Sequence, residues 1–299
     1  MLDQLGLLIA QTILISIPLI LAALGGVFSE RAGVVNIALE GVLLTGAFAA
    51  AVIGHASGSF VVGILGGVGA GMLVSLIHVA LAVGAGVNQI VSGLAINLLV
   101  AGATEYGSKS YWPANASRSI PEIPYYRWSG IELVDTLSGR PLVLITALTI
   151  VVVTFVLGRT VLGLRIHAVG ESPQACETRG LSVMGLRALA VVTSGALAGL
   201  GGAWLAFNVG QFQHGMSAGK GYIAMAAVVF GRWRPLGATL ACLVFGGSEA
   251  LAAALERWHV PVPSELVSTL PYVLTIVAMA GFVGRARPPA ALGVAHQRA

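Results

Sequence analysis

The segment from Gly158 to Arg187 reads GRTVLGLRIHAVGESPQACETRGLSVMGLR and separates two long apolar runs. It carries four arginines and two glutamates, whereas only 9% of the chain is charged. Charged side chains in this number do not lie in lipid, and an excess of arginine is typical of loops on the cytoplasmic side of a membrane. We therefore expect residues 158–187 to form a water-exposed cytoplasmic loop, with membrane spans on either side.

A short helix is predicted at the centre of this loop. Pro173 suits the first helical position, because the N–H that proline lacks would have been unpaired there anyway. Ser172 is a favourable N-cap residue, and the Glu171 carboxylate would face the positive end of the helix dipole. Gly180 is a typical helix end. These residues predict a capped cytoplasmic helix of about eight residues from Pro173 to Gly180.

The composition is that of an integral membrane protein. Of the 299 residues, 57% are hydrophobic and 9% are charged, whereas soluble domains carry roughly 25% charged residues. We expect one transmembrane domain over residues 1–299, because no polar segment is large enough to form a soluble core. The formal net charge of +4 arises from arginines at the cytoplasmic surface and does not indicate nucleic-acid binding.

The apolar runs predict an all-α membrane bundle of about nine segments, with a range of eight to ten. In order, the runs are Leu5–Val27, Gly33–Gly54, Phe60–Val83, Val87–Tyr106, Pro141–Leu157, Ala188–Phe207, Tyr222–Gly231, Leu236–Leu255 and Leu266–Val283. As a helix, Tyr222–Gly231 would reach only about 15 Å, half of the hydrocarbon thickness. It is therefore predicted to be a half-helix or a re-entrant segment packed inside protein.

Small residues recur at every fourth position in two of these runs. One stripe is formed by Gly63, Gly67 and Gly71, and the other by Gly195, Gly199 and Ala203. In lipid, such stripes allow helix backbones to approach closely, and dispersion forces then hold the helices together. The two stripes predict a tightly packed bundle.

Lysine and arginine positions set the expected orientation. With residues 158–187 inside, ten of the 16 basic residues lie on the cytoplasmic side and six outside. The N-terminus is then outside, and a C-terminal tail of residues 284–299 is cytoplasmic. The outer loop, residues 107–140, contains Tyr111, Trp112, Tyr125, Tyr126 and Trp128, which indicate either an interfacial aromatic belt or a docking surface for an external partner.

Two groups of polar residues within the runs are candidates for a solute path. Asn36 and Glu40 are four residues apart in the second run, so they are predicted to share a helix face. An ionisable residue in a span is costly and is a functional candidate, although a hydrogen bond that merely fixes the helix would also explain it. The fourth run carries Asn88, Gln89, Ser92 and Asn97. Their side chains suit an uncharged polar solute such as a sugar or nucleoside, or hydrogen bonds between helices.

Motifs of catalysis do not occur in the sequence. It contains no HExxH, no CxxC and no GxxxxGK[ST] phosphate loop. The two cysteines, Cys176 and Cys242, fall in different kinds of segment and do not indicate a disulfide or metal site. We expect no enzymatic activity, no cofactor and no metal in this chain.

Six stretches of the chain are distinctive: ERAGVVNIALEG, VNQIVSGLAINLL, GLRIHAVGESPQACETRGLSVMGLR, SGALAGLGGAW, GKGYIAMAAVVFGRWRPLGA and LPYVLTIVAM. Together they resemble the permease family of bacterial ABC importers, which includes simple-sugar and branched-chain amino-acid permeases. The resemblance runs from about Leu5 to Val283 and is strongest to the nucleoside-importer branch. It implies that the insert forms the coupling helix, which sits in a groove of the ATP-binding subunit. The residues carried into that role are Gly170, Glu171, Ser172, Pro173 and Ala175.

The resemblance also implies partners and a mechanism. A separate ATP-binding subunit would drive transport, a second permease subunit would complete the pathway, and an external binding protein or lipoprotein would deliver the solute. The second permease is expected to be unlike this one, with a homodimer as the alternative. ATP-driven closure of the partner would rock the permeases in the bacterial plasma membrane between inward-open and outward-open states.

Two alternative functions remain open from the sequence. A simple-sugar or branched-chain amino-acid ABC permease would differ only in its solute. An ion-coupled secondary transporter would instead need an ionisable carrier near the middle of the membrane, for which Glu40 is the main candidate.

Overall fold

A computed structural model describes residues 2–112, 120–258, 269, 273 and 287–295 of the chain. Every regular element within these residues is helical, as predicted. The α-helices are α1 Leu2–Arg31, α2 Leu39–Ser57, α3 Phe60–His78, α4 Gln89–Tyr111, α5 Glu132–Gly139, α6 Pro141–Arg159, α7 Val161–Glu171, α8 Pro173–Glu177, α9 Val183–Val209, α10 Lys220–Phe230 and α11 Pro235–Arg257. A π-helical turn, Val79–Gly84, continues α3.

Seven of the described helices are long and apolar enough to cross a membrane, and they are α1, α2, α3 with its π-helical turn, α4, α6, α9 and α11. The predicted half-length segment is the 11-residue α10. The ninth predicted run, Leu266–Val283, lies outside the described residues. We call the end of the bundle that carries α8 the α8 end, and the opposite end the far end.

The predicted small-residue stripes form the centre of the bundle. Gly63, Gly67 and Gly71 are the buried glycines of α3, and they face α2 and α9. A Cβ atom on Gly46 would come within 2.5 Å of the carbonyl oxygen of Gly199, and a Cβ on Gly199 would come within 2.5 Å of that of Gly67. Backbone-to-backbone contact at this distance leaves no space for a methyl group, so the glycines set the spacing of α2, α3 and α9.

The second apolar run is not one helix, and this prediction is wrong in its first part. Residues 32–38 are non-helical, and Gly33 has a left-handed φ of +87°. Arg187 of α9 donates to the carbonyl oxygen of Ala32, whereas Ser194, seven residues and about 10 Å further along α9, accepts from Asn36. Residues 32–38 therefore rise from the α8 end toward the middle of the bundle as unwound chain, which we call the broken segment.

The charged insert contains two helices rather than one. The predicted helix starts at Pro173 as expected but ends at Glu177, and Gly180 follows with a left-handed φ of +77°. Ser172 occupies the N-cap position, as predicted, but its side chain makes no capping hydrogen bond. The helix α7 was not predicted, and its buried residues are Gly163, Ile166, Val169 and Gly170, at helical spacing. Arg187, expected in water, is only 2% exposed.

Candidate functional site

At the α8 end, the five residues of the predicted coupling motif fall into two groups. Gly170 and Pro173 are buried, whereas Glu171, Ser172 and Ala175 are exposed. A Cβ on Gly170 would overlap the carbonyl oxygen of Arg31, so only glycine lets α7 rest on the end of α1. The motif thus has a buried side that fixes it to the bundle and an exposed side that is free to meet another protein.

Cys176 completes the buried side of α8. It packs with Val169 of α7 and Val183 of α9, and burial raises the pKa of its thiol. On α7, burial and the nearby Arg31 lower the pKa of His167, while Glu171 opposes this shift. Both groups are therefore biased toward their neutral forms. The exposed surface of α8 is formed by Ser172, Gln174 and Ala175.

The described part of the C-terminal tail, residues 287–295, lies against the same end of the bundle. Ala291 N–H donates to the carbonyl oxygen of Gly170 at 2.8 Å, and Gly293 N–H donates to that of Gly33 at 3.1 Å. Arg187 Nη1 donates to the carbonyl oxygen of Val294 at 3.0 Å. The tail therefore ties the coupling motif to the start of the broken segment.

In the middle of the bundle, Glu40 joins α2 to the start of α10. Its Oε1 accepts hydrogen bonds from Ser217 Oγ at 2.7 Å and from Gly219 N–H at 2.8 Å, and its Oε2 accepts from Gly221 N–H at 2.7 Å. The carboxylate thus pairs backbone N–H groups that the first turn of a helix leaves unpaired, at the positive end of its dipole. Glu40 and Asn36 do not share a helix face as predicted, because Asn36 precedes α2.

Asn97 of α4 supports the same junction from the other side. Its Oδ1 accepts from Gly41 N–H at 2.8 Å, and its Nδ2 lies 2.9 Å from both the carbonyl oxygen of Ile37 and the Tyr222 hydroxyl. One side chain therefore holds the end of the broken segment, the first turn of α2 and the first turn of α10. We call Glu40, Asn97 and Tyr222 the central junction.

The other predicted path residues of α4 support the broken segment directly or through His78. Gln89 Oε1 accepts from Val35 N–H at 2.7 Å. Ser92 Oγ lies 3.0 Å from His78 Nδ1, and His78 Nε2 lies 3.1 Å from the carbonyl oxygen of Val35. Unwound backbone at membrane depth must find its hydrogen bonds within the protein. Gln89 and the pair of Ser92 and His78 supply them for the broken segment.

Asn88 stands apart from this network. It is exposed at the start of α4, where its Oδ1 accepts from the N–H groups of Ile90 at 2.9 Å and Val91 at 3.2 Å. This geometry is an N-cap. The structure therefore brings five of the six predicted path residues around the broken segment, and they are Asn36, Glu40, Gln89, Ser92 and Asn97.

An exposed polar loop that was not predicted joins α9 to α10. Since α10 is about 16 Å long and ends beside the turn at the α8 end, its start at Lys220 lies near half the depth of a bilayer. The loop residues Gln211, Gln213 and His214 are exposed. The sequence signal was the polar, glycine-rich stretch GQFQHGMSAGKG between two apolar runs.

Charged groups and one aromatic ring border this loop. Lys220 Nζ lies 3.0 Å from Glu249 Oε1, and His214 Nε2 lies 3.7 Å from Glu105 Oε2. Tyr222 is 44% exposed, although its hydroxyl is held by Asn97. Irregular backbone at this depth occurs where it lines a water-filled space or is covered by another protein. The part of the loop next to Lys220, together with Tyr222, thus marks a face of the bundle that does not meet lipid.

Comparison with known proteins gives a family match over most of the chain. Residues 8–279 match the family model described as "Branched-chain amino acid transport system / permease component". The guanosine ABC transporter permease protein NupQ of Bacillus subtilis is 39% identical, over 98% of this chain and 97% of NupQ. The nucleoside ABC transporter permease protein NupC of Lactococcus lactis is 35% identical, over 98% of this chain and 97% of NupC.

A solved ABC transporter of metal-chelate type, in an inward-facing conformation, is also similar. It shares 17% identity, with a TM-score of 0.45, over 92% of this chain and 84% of the solved chain.

Proposed function

This chain belongs to the branched-chain amino acid transport system permease family, and on that premise we propose that it is a permease subunit of an ABC importer for nucleosides. The observation that carries the proposal is the near-full-length similarity to two permeases named for guanosine and nucleoside transport. The anchored helix α8, with its exposed outer side, supports the same proposal, because it offers a docking point to a separate ATP-binding subunit. That subunit would supply the ATP hydrolysis.

A series of contacts connects α8 with the central junction and suggests how a movement of α8 would be transmitted. Gly170, at the end of α7, rests on the carbonyl oxygen of Arg31, where α1 ends. The tail then binds both Gly170 and Gly33. From Gly33 the broken segment leads to Glu40, which holds the start of α10. A displacement of α8 would therefore reach the middle of the membrane through packed and hydrogen-bonded elements, as rigid-body switching requires.

The solute path is proposed along the exposed loop rather than through the buried amides. Asn97 and Gln89 are buried and bind backbone groups, whereas Gln211, Gln213 and Tyr222 are exposed. Amide groups can bind ribose hydroxyls, and an aromatic ring offers a stacking surface to any base. In this proposal, Asn36, Glu40, Gln89, Ser92 and Asn97 form the layer behind the path and fix its shape, while Asn88 caps α4.

The same contacts weigh against an ion-coupled secondary transporter. Both carboxylate oxygens of Glu40 are occupied by three donors, and Lys220 is paired with Glu249. A carboxylate that carries a proton or ion through the membrane would have to release these partners in each cycle, and the start of α10 would then lose them. The proposed assembly is therefore an ATP-driven one with a second permease, unlike this chain, and an external binding protein.

Uptake by the reconstituted importer tests the proposal. The chain is co-expressed with its ATP-binding, second-permease and binding-protein partners, and uptake of labelled guanosine, uridine and ribose is measured. We expect ATP-dependent uptake of the nucleosides and none of free ribose. Pro173→Gly and Glu171→Arg should reduce uptake without loss of membrane insertion. Uptake of ribose alone would refute the substrate, and uptake that persists without the ATP-binding subunit would refute the importer class.

A further inference from the structure

A cleft of about 550 Å³ opens at the α8 end between α6, α7 and the turn that joins α10 to α11. Its lining includes Arg31, Thr154, His167, Arg232, Trp233 and Arg234. A second groove, of about 410 Å³, runs from this cleft along α6 and is lined by Ile150, Val151, Phe155 and Arg159. Thr154, Gly158 and Leu236 line both cavities, so the two are continuous.

The mouth of the cleft is strongly basic. Arg232 and Arg234 are exposed, and neither has a carboxylate within ion-pair distance among the residues that the structure describes. Arg31 donates to the carbonyl oxygen of Trp233 at 2.7 Å, and its charge interacts with that of Glu171. The other nearby carboxylate, Glu30, is buried and accepts from the Trp233 indole. The positive charge at the mouth is therefore largely uncompensated.

The turn that carries the two exposed arginines is held in an unusual shape. Arg232 and Trp233 both have left-handed backbone conformations, with φ of +55° and +54°. Residues other than glycine rarely adopt this conformation, and it persists where the surroundings enforce it. Here the buried Trp233 side chain and the close packing of Gly231 against Ala238 enforce it. The result is a rigid turn with Arg232 and Arg234 on either side of a buried tryptophan.

We propose that the cleft and groove bind one anionic phospholipid from the leaflet on the α8 side. Its phosphate would lie between Arg232 and Arg234, and one acyl chain would follow Ile150, Val151 and Phe155 along α6. Basic pockets between transmembrane helices are suited to anionic headgroups. An acidic protein surface could also pair with the arginines, but it would leave the apolar groove on α6 unfilled. The continuity of groove and basic mouth therefore favours a lipid.

Lipid binding to the delipidated full-length chain tests this proposal. Native mass spectrometry measures the one-lipid complex with dioleoyl phosphatidylglycerol, dioleoyl phosphatidylcholine or glycerol 1-phosphate as the probe. We expect a preference of roughly tenfold for the phosphatidylglycerol over the phosphatidylcholine, which corresponds to one factor of ten in Kd. The double variant Arg232→Gln/Arg234→Gln should remove the preference. Arg257→Gln, at the far end, should leave it unchanged.

A second variant separates charge from shape. Val151→Trp fills the groove on α6, where Val151 is 64% exposed, and leaves every charge in place. It should weaken phosphatidylglycerol binding about as much as the loss of the arginines. Equal binding of both lipids by the wild-type chain would overturn the proposal, as would competition by glycerol 1-phosphate at the same concentration as the lipid. If the arginine variant kept its lipid but no longer co-purified with the ATP-binding subunit, the mouth would be a protein contact instead.

Discussion

Replacement of Glu40 by glutamine removes one carboxylate oxygen from the central junction and leaves the size of the side chain unchanged. The amide oxygen can still accept, but the NH₂ group cannot, so at least one of the three donors loses its partner. Those donors are Ser217 Oγ, Gly219 N–H and Gly221 N–H. A hydrogen bond to a charged group contributes about 1.5–3 kcal/mol, and the attraction between the carboxylate and the helix start adds about 0.3–1 kcal/mol. We therefore expect Glu40→Gln to destabilise the junction by about 2–4 kcal/mol.

The two cysteines supply an assay for this change. Cys176 and Cys242 are both buried, so a thiol-reactive fluorophore labels them only when the bundle opens. Cys242 lies in α11, the helix whose Glu249 binds Lys220 at the start of α10. For a loss near 3 kcal/mol, labelling of Cys242 through the opened state should be on the order of 100-fold faster.

Matched variants show whether the effect belongs to the junction. Glu40→Ala removes all three acceptor contacts and should accelerate labelling further than Glu40→Gln. Glu105→Gln removes a carboxylate from exposed pairs with Lys109 and His214 and should leave the rate unchanged. If Glu40→Gln labelled within twofold of the wild-type chain, the hydrogen bonds at α10 would not stabilise the bundle and this reasoning would fail.

Three further changes test other parts of the account. Gly170→Ala should abolish solute-stimulated ATP hydrolysis by the assembled importer, because the added methyl group overlaps the carbonyl oxygen of Arg31. Gly158→Ala is the control, since nothing lies within 4 Å of its added Cβ. Equal activity of the two variants would contradict the account. Asn97→Leu should lower the free energy of unfolding by about 2–4 kcal/mol because it strands buried donors and acceptors, whereas Asn88→Ala should cost only about 1 kcal/mol as a lost N-cap, and a reversed order would count against the central junction. Hydrogen bonds from Ser129 and from Trp128 N–H lower the pKa of Asp135. The stability that Asp135 gives to residues 128–135 is therefore complete above the ordinary Asp pKa of about 4 and is lost as pH falls through the lower folded value. Trp128 fluorescence should report that acid transition, and its persistence in Asp135→Asn would refute the assignment.

Features that depend on local spacing could be predicted from the sequence. The glycine stripes of α3 and α9 and the short length of α10 follow from residue type and position alone. Pro173 marked the start of α8 for the same reason, since its ring fits only the first turn. These predictions needed no knowledge of distant partners.

The broken segment could not be predicted, because the residues that stabilise it are far away in the sequence. Val34, Val35 and Ile37 continue an apolar run and give no signal of unwound chain. The backbone partners of Val35 and Ile37 come from Gln89 and Asn97 of α4 and from His78 of α3. The polarity of α4 was visible in the sequence, but its role was not. Residue type alone does not show whether an amide side chain binds solute or backbone.

The helix α7 was missed for a different reason. Arg159 and Arg165 led us to interpret the whole insert as a charged loop, although Ile166 and Val169 lie at helical spacing. Both arginines are exposed, while Ile166 and Val169 are buried, so the segment is an amphipathic helix on the surface of the bundle. The same charged residues that predicted a water-exposed insert led to the prediction of a loop where the structure has a helix.

The central claim is that the exposed side of α8 is where an ATP-binding subunit docks. Site-directed cross-linking from Ala175→Cys, in the assembled importer, measures this contact directly, with Ser57→Cys at the far end as the reference because both positions are exposed. The account predicts a cross-link to the ATP-binding subunit from position 175 and none from position 57. A cross-link from position 57 with none from position 175 would place the ATP-binding subunit at the wrong end of the bundle and contradict the account.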